Sequence, residues 1–357
     1  MAAPQKRAFD ALLVHTQRII QARQLLPRGS RVVVGVSGGV DSMVLWDILH
    51  RLRTSLHLTL IAAHLDHGLR PESAEDARWV RDAIIRQGLP VVVKRRQVSV
   101  HCERAGWSLE DGARRIRYHV LNEIAVQASA THIALAHTAD DQAETVLMRL
   151  LRGTGLQGLR AIPLKRRVDE TQLASPWIVR PLLQTERSAI AAYARTAGVP
   201  FREDATNQDR RFLRNRIRHE LLPLLEQAYN PRMKSALRQL AALSEDDHAC
   251  LERFAARQWR RVVKRRGRTA QTALGLSISR FRQQPVALQR RLLRRALTQL
   301  AAQACPTSAV LGGLEFRHWL EAERLFDDQP SGTVLDLPGG IQLQREGLEV
   351  VCTRRVD

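Results

Sequence analysis

Runs of β-branched residues alternate with longer amphipathic segments over the first 140 residues of the chain. The run Val32–Val36 is typical of a strand that is buried on both faces of a parallel sheet. From Asp41 onward, apolar residues recur at the spacing of one helix face. The turn at 37–39 therefore joins the carboxyl end of a strand to the start of a helix, which is where open α/β sheets bind ligands.

Further segments of both kinds follow in alternation. Their predicted positions are 56–64, 90–93 and 131–136 for strands, and 8–26, 72–87 and 104–128 for helices. Strands that alternate with helices in this way form parallel sheets with helices on both faces. The predicted fold class is therefore α/β, with a doubly wound parallel sheet.

The pattern changes near residue 219. Helices are predicted at 220–229, 231–247 and 289–299, and two alternating runs on either side of residues 338–340 predict a β-hairpin. We therefore predict a catalytic domain at 1–218, a helical linker at 219–247 and a second domain at 248–357. This second domain is mostly helical and basic and ends in the hairpin.

The charge of the chain indicates what it binds. Lys and Arg number 56 against 36 Asp and Glu, so the 357 residues carry a formal net charge of +20, with a pI of about 11.2. Such a charge predicts a polyanionic partner, whereas a hydrophobic content of 44% argues against a disordered basic tail. Between Arg257 and Arg295, 13 residues are Lys or Arg and none is Asp or Glu. A block of one sign favours phosphate contacts over a solvated face, which normally mixes signs.

The four cysteines, at 102, 250, 305 and 352, are far apart in the sequence. This spacing argues against a zinc knuckle, an iron–sulfur run or a redox pair built on sequence neighbours. We expect reduced thiols in a cytoplasmic protein. The first thirty residues lack the apolar segment of a signal peptide, and no run of 18 apolar residues occurs, so neither secretion nor membrane spanning is expected.

The glycine-rich turn is the strongest chemical signal. Gly38 and Gly39 allow a tight turn whose N–H groups, together with a helix N-terminus, form a cradle for an anion. The sequence lacks the Gly-Lys-Ser/Thr of a Walker A loop and the Gly-x-Gly-x-x-Gly of a dinucleotide site. The remaining alternative is an ordinary glycine-rich turn between a strand and a helix.

Three further polar clusters lie at predicted strand ends or on predicted helices. Residues 64–70 follow the second strand, although a solvated turn would have the same composition. Arg114 and Arg117 share a helix face that suits phosphate, or alternatively only faces solvent. Within 137–144 there are one His and three carboxylates. Thr138 and Asp141 can act as N-cap and N3 residues, but the cluster exceeds what capping requires, so we favour a functional role.

Several of these segments resemble known motifs. Ser-Gly-Gly-Val-Asp-Ser at 37–42 resembles the pyrophosphate loop (PP-loop) of the ATP pyrophosphatase superfamily, whose members adenylate an oxygen and release pyrophosphate. Segments typical of the tRNA(Ile)-lysidine synthetase family are 67–70, 113–118, 137–158, 180–183, 203–207 and 214–218. The resemblance is close over 1–225 and looser beyond. The chain departs from the family at Ala136, where many relatives have His, and at Asp66, where Asn is frequent.

The resemblance implies a fold similar to the adenine nucleotide alpha hydrolases, with a PP-loop ATP-binding catalytic domain. It also implies a ligase that uses ATP and Mg²⁺ to adenylate the C2 oxygen of the wobble cytidine in a tRNA(Ile) with a CAU anticodon. Free L-lysine then displaces AMP through its ε-amine, which gives lysidine and converts decoding from AUG to AUA. The implied partners are this tRNA and lysine, with no membrane, and a homodimer stays open.

The same resemblance implies roles for particular residues. The catalytic residues are Asp41, Arg114, Arg117, Asp141 and Glu144, and Asp41 is also the Mg²⁺ ligand. The ATP-binding residues are Ser37, Gly38, Gly39, Val40, Asp41, Ser42, His64 and His137. The substrate-binding residues are His67, Arg70, Asp140, Arg152, Asp204, Asn207, Arg214, Asn215 and Arg218, to which the basic block adds Arg290, Arg291, Arg294 and Arg295 as tRNA contacts. Which carboxylate binds the lysine ammonium and which accepts its proton stays open.

Other functions compete with this one. A PP-loop tRNA thiolase would have the same nucleotide fold, but such enzymes usually need cysteines near the loop, which this chain lacks. GMP or NAD synthetase would not account for the charge of +20. A non-catalytic RNA-binding protein on a dead nucleotide fold is the alternative from another class, and the presence of Asp41, Arg117, Asp141 and Glu144 argues against it.

Overall fold

The computed structural model describes residues 3–69, 72–169, 172, 174–202, 210–266, 273–301 and 315–354. Its contacts divide the chain into two compact units, Met1–Glu245 and Asp246–Asp357. None of the helices in the described ranges is long and apolar enough to cross a membrane.

The first unit is built on a sheet with the strand order β3-β2-β1-β4-β6-β5. The strands are β1 (Arg31–Gly35), β2 (Thr59–Asp66), β3 (Val91–Arg95), β4 (His132–Ala134), β5 (Lys165–Arg167) and β6 (Trp177–Val179). Neighbouring strands pair in parallel except β5, which runs antiparallel to β6 at one edge. The predicted doubly wound parallel sheet is confirmed, with an antiparallel edge strand that the sequence pattern did not indicate.

Helices cover both faces of this sheet. Those before and between the strands are α1 (Ala3–Ala22), α2 (Val40–Leu56), α3 (Ser73–Ile85), α4 (Val98–Ala105), α5 (Leu109–Gln127), α6 (Ala139–Leu151), α7 (Leu156–Leu159) and α8 (Arg187–Ala197). The helix predicted at 104–128 is confirmed as α5, which begins later, at Leu109, whereas the sequence pattern did not indicate α4. Gly106 ends α4 in the left-handed conformation, and the side chain of Ser108 caps α5 by accepting the N–H of Asp111.

The strands of the first unit are buried between two apolar layers. Val32 and Val34 of β1 pack into the layer formed with α1, α2 and α8, whereas Val33 packs into the layer formed with α5. The strand order reverses between β1 and β4, because β2 and β3 lie on one side of β1 and β4 lies on the other. The segments that leave these two strands therefore flank the topological switch point, where doubly wound sheets bind ligands.

Further helices follow α8. They are α9 (Leu213–Arg216), a π-helical turn at Ile217–Leu221, α10 (Leu222–Ala228) and α11 (Met233–Val262). Ile217 and Leu222 pack with Ala143 and Val146 of α6 in a small separate core. A π-helical turn is rare and often marks a functional site.

The second unit contains an antiparallel sheet with the strand order β7-β8-β11-β10-β9. Its elements are β7 (Val263–Arg266), β8 (Ala273–Ser277), α12 (Ile278–Arg282), α13 (Val286–Ala301), α14 (Phe316–Arg324), β9 (Val334–Leu337), β10 (Ile341–Glu346) and β11 (Glu349–Arg354). The predicted hairpin is confirmed as β9 and β10, and it is part of this larger sheet. Leu292, Leu293 and Leu297 of α13 pack into the apolar core of the unit.

Candidate active site

The PP-loop is a tight, internally bonded turn between β1 and α2. The hydroxyl of Ser42 accepts the backbone N–H of Ser37 at 3.1 Å and donates to the carbonyl of Gly39 at 2.9 Å. Gly38 has φ +93°, and a Cβ atom there would lie 3.1 Å from Cγ2 of Val80. The loop therefore needs glycine at 38 for both conformation and space, and its shape exists before any ligand binds.

His64 borders this loop from the end of β2. Its Nδ1 donates to the carbonyl of Val36 at 2.8 Å, and its side chain is buried. Burial lowers the pKa of His64, so the imidazole is neutral near pH 7. Asp66, two residues further on, is buried and accepts the N–H of Gly68 at 3.0 Å, which shapes the turn that carries His67.

The first turn of α6 confirms the capping geometry. Oγ1 of Thr138 accepts the N–H of Asp141 at 3.2 Å, and Oδ2 of Asp141 accepts the N–H of Thr138 at 2.8 Å. This capping box occupies only one carboxylate oxygen of Asp141. Its other oxygen, Oδ1, points to a cluster of arginines, so capping and a role in the site are compatible.

We call this group the carboxylate–arginine cluster: Asp41, Asp141, Glu144, Arg187, Arg214 and Arg218. Arg187 donates to Asp141 at 2.7 Å, to Glu144 at 3.1 Å and to Asp41 at 3.4 Å. Arg214 donates to Glu144 at 2.9 Å and to Asp141 at 3.0 Å. Arg218 donates to Glu144 at 2.6 and 2.9 Å. Three guanidiniums thus face three carboxylates drawn from α2 and α6.

Burial and charge oppose one another in this cluster. Burial disfavours the ionised form of Asp141, but the guanidiniums of Arg214 and Arg187 outweigh it and hold its pKa well below the usual range. Burial also opposes the charge on Arg187, yet the surrounding carboxylates raise its pKa. Both groups are therefore ionised near neutral pH. Glu144 is only 1% exposed, so its charge depends on these guanidinium partners.

Asp41 differs from the other carboxylates. Burial raises its pKa, and Arg187 offsets this rise only in part. Its Oδ2 faces Arg187, whereas its Oδ1 is buried and has no hydrogen-bond partner among the residues that the structure describes. A buried carboxylate oxygen without a donor is the group that a hard cation such as Mg²⁺ would satisfy. Asp41 therefore fits the Mg²⁺ that the family implies.

A second group of side chains lies around Tyr118 of α5. Nη2 of Arg114 donates to the phenol oxygen at 3.3 Å and Nη2 of Arg180 donates to it at 3.1 Å, while Arg166 stacks over the ring at 5.0 Å. Burial raises the pKa of the phenol, but these guanidiniums outweigh it and lower the pKa to about 8. Arg180, fully buried, also donates to Nδ1 of His137 at 3.2 Å.

The predicted site residues do not all fall together. Asp140 accepts the backbone N–H of Arg187 at 2.9 Å, and Asn215 is buried beside Arg214 in α9. Arg152 is exposed at the surface of the first unit. Arg117 also has exposed surface, but burial of its guanidinium and the nearby Arg114 and Arg214 lower its pKa, so it borders the site. The predicted residues Arg70, Asp204 and Asn207 lie outside the described residues.

Sequence reasoning missed Arg187 and gave no role to Arg180. The partners of Arg187 lie 43, 46 and 146 residues away, so no local pattern could identify them. Arg180 was within reach, because it opens the Arg-Pro-Leu-Leu segment at 180–183 that belongs to the family resemblance.

The four arginines predicted to contact tRNA are not equivalent. On α13, Arg290 pairs with Glu323, and Arg291 donates to Glu252 at 2.8 Å. The exposed Arg294 and Arg295 have no ion-pair partner within the described part of the chain. Glu323 and Glu252, which pair with Arg290 and Arg291, lie outside residues 257–295. The composition of that block therefore did not reveal these two ion pairs.

The fold and the loop together define a class of enzyme. A doubly wound sheet with a Ser-Gly-Gly-Val-Asp-Ser cradle at its switch point is typical of PP-loop, ATP-using proteins. The family model for the PP-loop domain matches residues 12–225. The structure also shares its fold with the U34-tRNA thiolase NcsA from Methanococcus maripaludis, with TM-score 0.55 and 17% identity over 67% of this chain and 80% of that one.

Curated relatives identify the family more narrowly. A tRNA(Ile)-lysidine synthase of Geobacter sulfurreducens is 40% identical over 97% of this chain and 70% of its own length. One from Synechococcus sp. (strain JA-3-3Ab) is 34% identical over 93% of this chain and 94% of its own length. The chain belongs to the tRNA(Ile)-lysidine synthase family.

Proposed function

We propose that the protein joins lysine to C2 of the wobble cytidine in a tRNA(Ile) with a CAU anticodon, after ATP has adenylated the base. The observation that carries this proposal is the similarity to tRNA(Ile)-lysidine synthases, which extends over 97% of the chain. A net charge of +20 suits a tRNA substrate.

In the first step, the PP-loop binds the phosphates that leave as pyrophosphate. The start of α2 presents backbone N–H groups to these phosphates, whereas the hydroxyls of Ser37 and Ser42 bond within the loop and would exchange those bonds for bonds to phosphate when ATP binds. Arg114 and Arg117, on the surface of α5, hold the α-phosphate and the C2 oxygen. Asp41 would hold Mg²⁺, which when bound supplies positive charge to the same phosphates.

In the second step, Asp141 and Glu144 receive the lysine ε-amine. One oxygen of Asp141 accepts a hydrogen bond in the helix cap, and the pKa of this carboxyl is lowered, so we assign Asp141 to binding the ammonium. We assign acceptance of the proton to Glu144. In the structure, both carboxylates are already paired with Arg187, Arg214 and Arg218.

Charge balance suggests an order of binding. Because three guanidiniums face three carboxylates, a lysine ammonium has to replace a guanidinium to reach Asp141 or Glu144. The phosphates of ATP are anions to which a displaced guanidinium can move, and Arg187 already contacts Asp41 of the PP-loop helix. We therefore place ATP before lysine.

The second unit would bind the body of the tRNA. Arg294 and Arg295 have no ion pair within the described residues, although Arg295 stacks over the ring of Trp259 at 5.1 Å and burial lowers the pKa of Arg294. Arg290 and Arg291 instead pair with Glu323 and Glu252, so we assign phosphate contacts to Arg294 and Arg295. A thiolase is less well supported, because the similarity to the thiolase NcsA is 17% and shows the fold alone.

The direct test supplies the protein with ATP, labelled lysine and one of two tRNAs. We expect label only in tRNA(Ile) with the CAU anticodon and none in elongator tRNA(Met), which has the same anticodon, and we expect AMP and pyrophosphate as products. The control is Asp41→Asn, which should transfer no label. A protein that binds both tRNAs, but labels neither and produces no pyrophosphate, would favour a non-catalytic RNA-binding role.

A further inference from the structure

Arg180 is a buried cation that has no carboxylate partner among the residues that the structure describes. It follows β6, has 0% of its surface exposed, and donates three directed hydrogen bonds. These run from Nη1 to the carbonyl of Pro163 at 2.6 Å, from Nη2 to the phenol oxygen of Tyr118 at 3.1 Å, and from Nε to Nδ1 of His137 at 3.2 Å. Burying a guanidinium on neutral acceptors is costly. This cost indicates that the guanidinium has a role in positioning one of these three hydrogen-bond acceptors.

The bond to His137 determines where that imidazole carries its proton. Every guanidinium nitrogen is a donor, and none can accept a hydrogen bond. Nδ1 of His137 must therefore be the acceptor and cannot carry a hydrogen. This condition excludes both the Nδ1–H tautomer and the doubly protonated imidazolium, so the remaining form is neutral with its hydrogen on Nε2.

From this geometry we infer that Arg180 is a positioning residue that locks His137 as a neutral Nε2–H donor. The functional meaning of the lock rests on the proposed ATP site, in which His137 contacts the nucleotide. His137 then acts as a fixed hydrogen-bond donor throughout the reaction and carries no proton between groups. A donor whose orientation and protonation are set in advance stabilises developing negative charge without reorganisation.

The charged groups around His137 agree with this assignment. Burial disfavours the imidazolium most strongly, and the guanidiniums of Arg180, Arg114 and Arg214 disfavour it further. Asp141, in the first turn of the helix α6 that follows His137, acts in the opposite direction but is outweighed, and the pKa of His137 falls well below its usual value. His137 should therefore keep one protonation state across the pH range in which an ordinary histidine titrates.

Tyr118 would help to hold Arg180 in place. Its phenol oxygen accepts from Arg180 and from Arg114, so two guanidiniums converge on one atom. Tyr118→Phe keeps the ring over which Arg166 stacks but removes this acceptor. The variant should loosen Arg180 without removing it.

The lock can be observed directly by nuclear magnetic resonance on the full-length protein without substrates. Long-range ¹⁵N–¹H spectra distinguish the two imidazole tautomers, and a His137→Gln spectrum identifies the signals of His137. We expect the pattern of the Nε2–H tautomer, unchanged between about pH 6 and pH 8. An Nδ1–H pattern, or a titration in that range, overturns the inference even if no variant can be purified.

Arg180→Lys tests the cause. Lysine retains the charge but cannot keep all three directed bonds. A hydrogen bond from a charged donor biases the two tautomers by roughly tenfold to a hundredfold, so its loss should make the minor tautomer visible. Arg166→Lys is the matched control, because Arg166 stacks on the same Tyr118 ring, and it should leave the His137 pattern unchanged. Equal spectra for wild type and Arg180→Lys would refute the role of Arg180.

Activity separates this inference from the proposed reaction. With Arg180→Lys, we expect ATP–pyrophosphate exchange to fall about tenfold or more in kcat, because the imidazole is no longer held as one tautomer, whereas Arg166→Lys should not show this loss. A wild-type enzyme that shows the predicted spectrum but no lysine transfer would contradict the proposed function alone. A wild-type enzyme that transfers lysine but shows a titrating His137 would contradict the lock alone.

Discussion

The pairing on α13 leads to a prediction about how the protein grips tRNA. Four arginines on this helix are close in sequence but differ in environment. Arg290 and Arg291 are neutralised by Glu323 and Glu252, while Arg294 and Arg295 are exposed without an ion-pair partner among the described residues. Only an arginine free to contact a phosphate releases a counterion when tRNA binds.

The expected magnitude follows from this count. In a duplex-like stem, each phosphate contact contributes about 0.9 to the slope of log affinity against log salt concentration. Arg294→Gln/Arg295→Gln should therefore flatten the slope by about 1.8. Over roughly 50 to 200 mM salt, this difference amounts to about a tenfold smaller loss of affinity than in the wild type. The sequence block alone would instead assign all four arginines to phosphate, with a change in slope of up to about 3.6.

The matched control is Arg290→Gln/Arg291→Gln, which removes the same formal charge from the same helix. It should leave the slope within about 0.5 of the wild type and cost at most about 1 kcal/mol of folding free energy for each partly exposed ion pair. The assay is tRNA binding by fluorescence anisotropy at several salt concentrations, with urea unfolding to monitor stability. If the two double variants flatten the slope equally, the pairing with Glu252 and Glu323 is irrelevant to RNA binding and the reasoning fails.

Three other expectations concern the first unit. Asp41→Asn should abolish ATP–pyrophosphate exchange and leave tRNA affinity nearly unchanged. If the Asn variant is active, Asp41 is not the Mg²⁺ ligand. Glu144→Gln should destabilise the fold by about 3 kcal/mol in urea unfolding, because it strips one partner from a buried ion cluster. Both Glu144→Gln and Asp141→Asn should reduce lysine transfer at least as much as adenylation. If both variants transfer lysine fully at ordinary lysine concentration, Glu144 and Asp141 have only structural roles. In an ultraviolet phenolate titration, Tyr118 should ionise near pH 8, a step that Tyr118→Phe removes. Because its folded-state pKa is lowered, this tyrosine contributes stability that is fully present above about pH 10 and is lost as the pH falls through 8. The difference in thermal midpoint between the wild type and Tyr118→Phe should therefore change over this pH range, and a constant difference would contradict the assignment.

Local sequence was enough to predict the elements around the PP-loop. The capping pair Thr138 and Asp141 bond to each other, and the glycines at 38 and 39 lie in a turn closed by Ser37 and Ser42, so in both cases the partners are within a few residues. Their conformations follow from backbone sterics and short-range hydrogen bonds, which act in the same way in any fold. The same local information missed α4 and placed the start of α5 too early, ahead of Gly106 and Ser108, which end α4 and cap α5.

The sequence by itself therefore determined the fold class, the phosphate-binding loop and, through its resemblance to lysidine synthetases, the kind of reaction to test. Only the tertiary structure decided which charges compensate which. Arg187 meets Asp41 across 146 residues, and Arg291 meets Glu252 across 39. The physical reason is that a guanidinium is mobile and solvated until packing removes its water, and its partner is then whichever acid the fold has brought within reach.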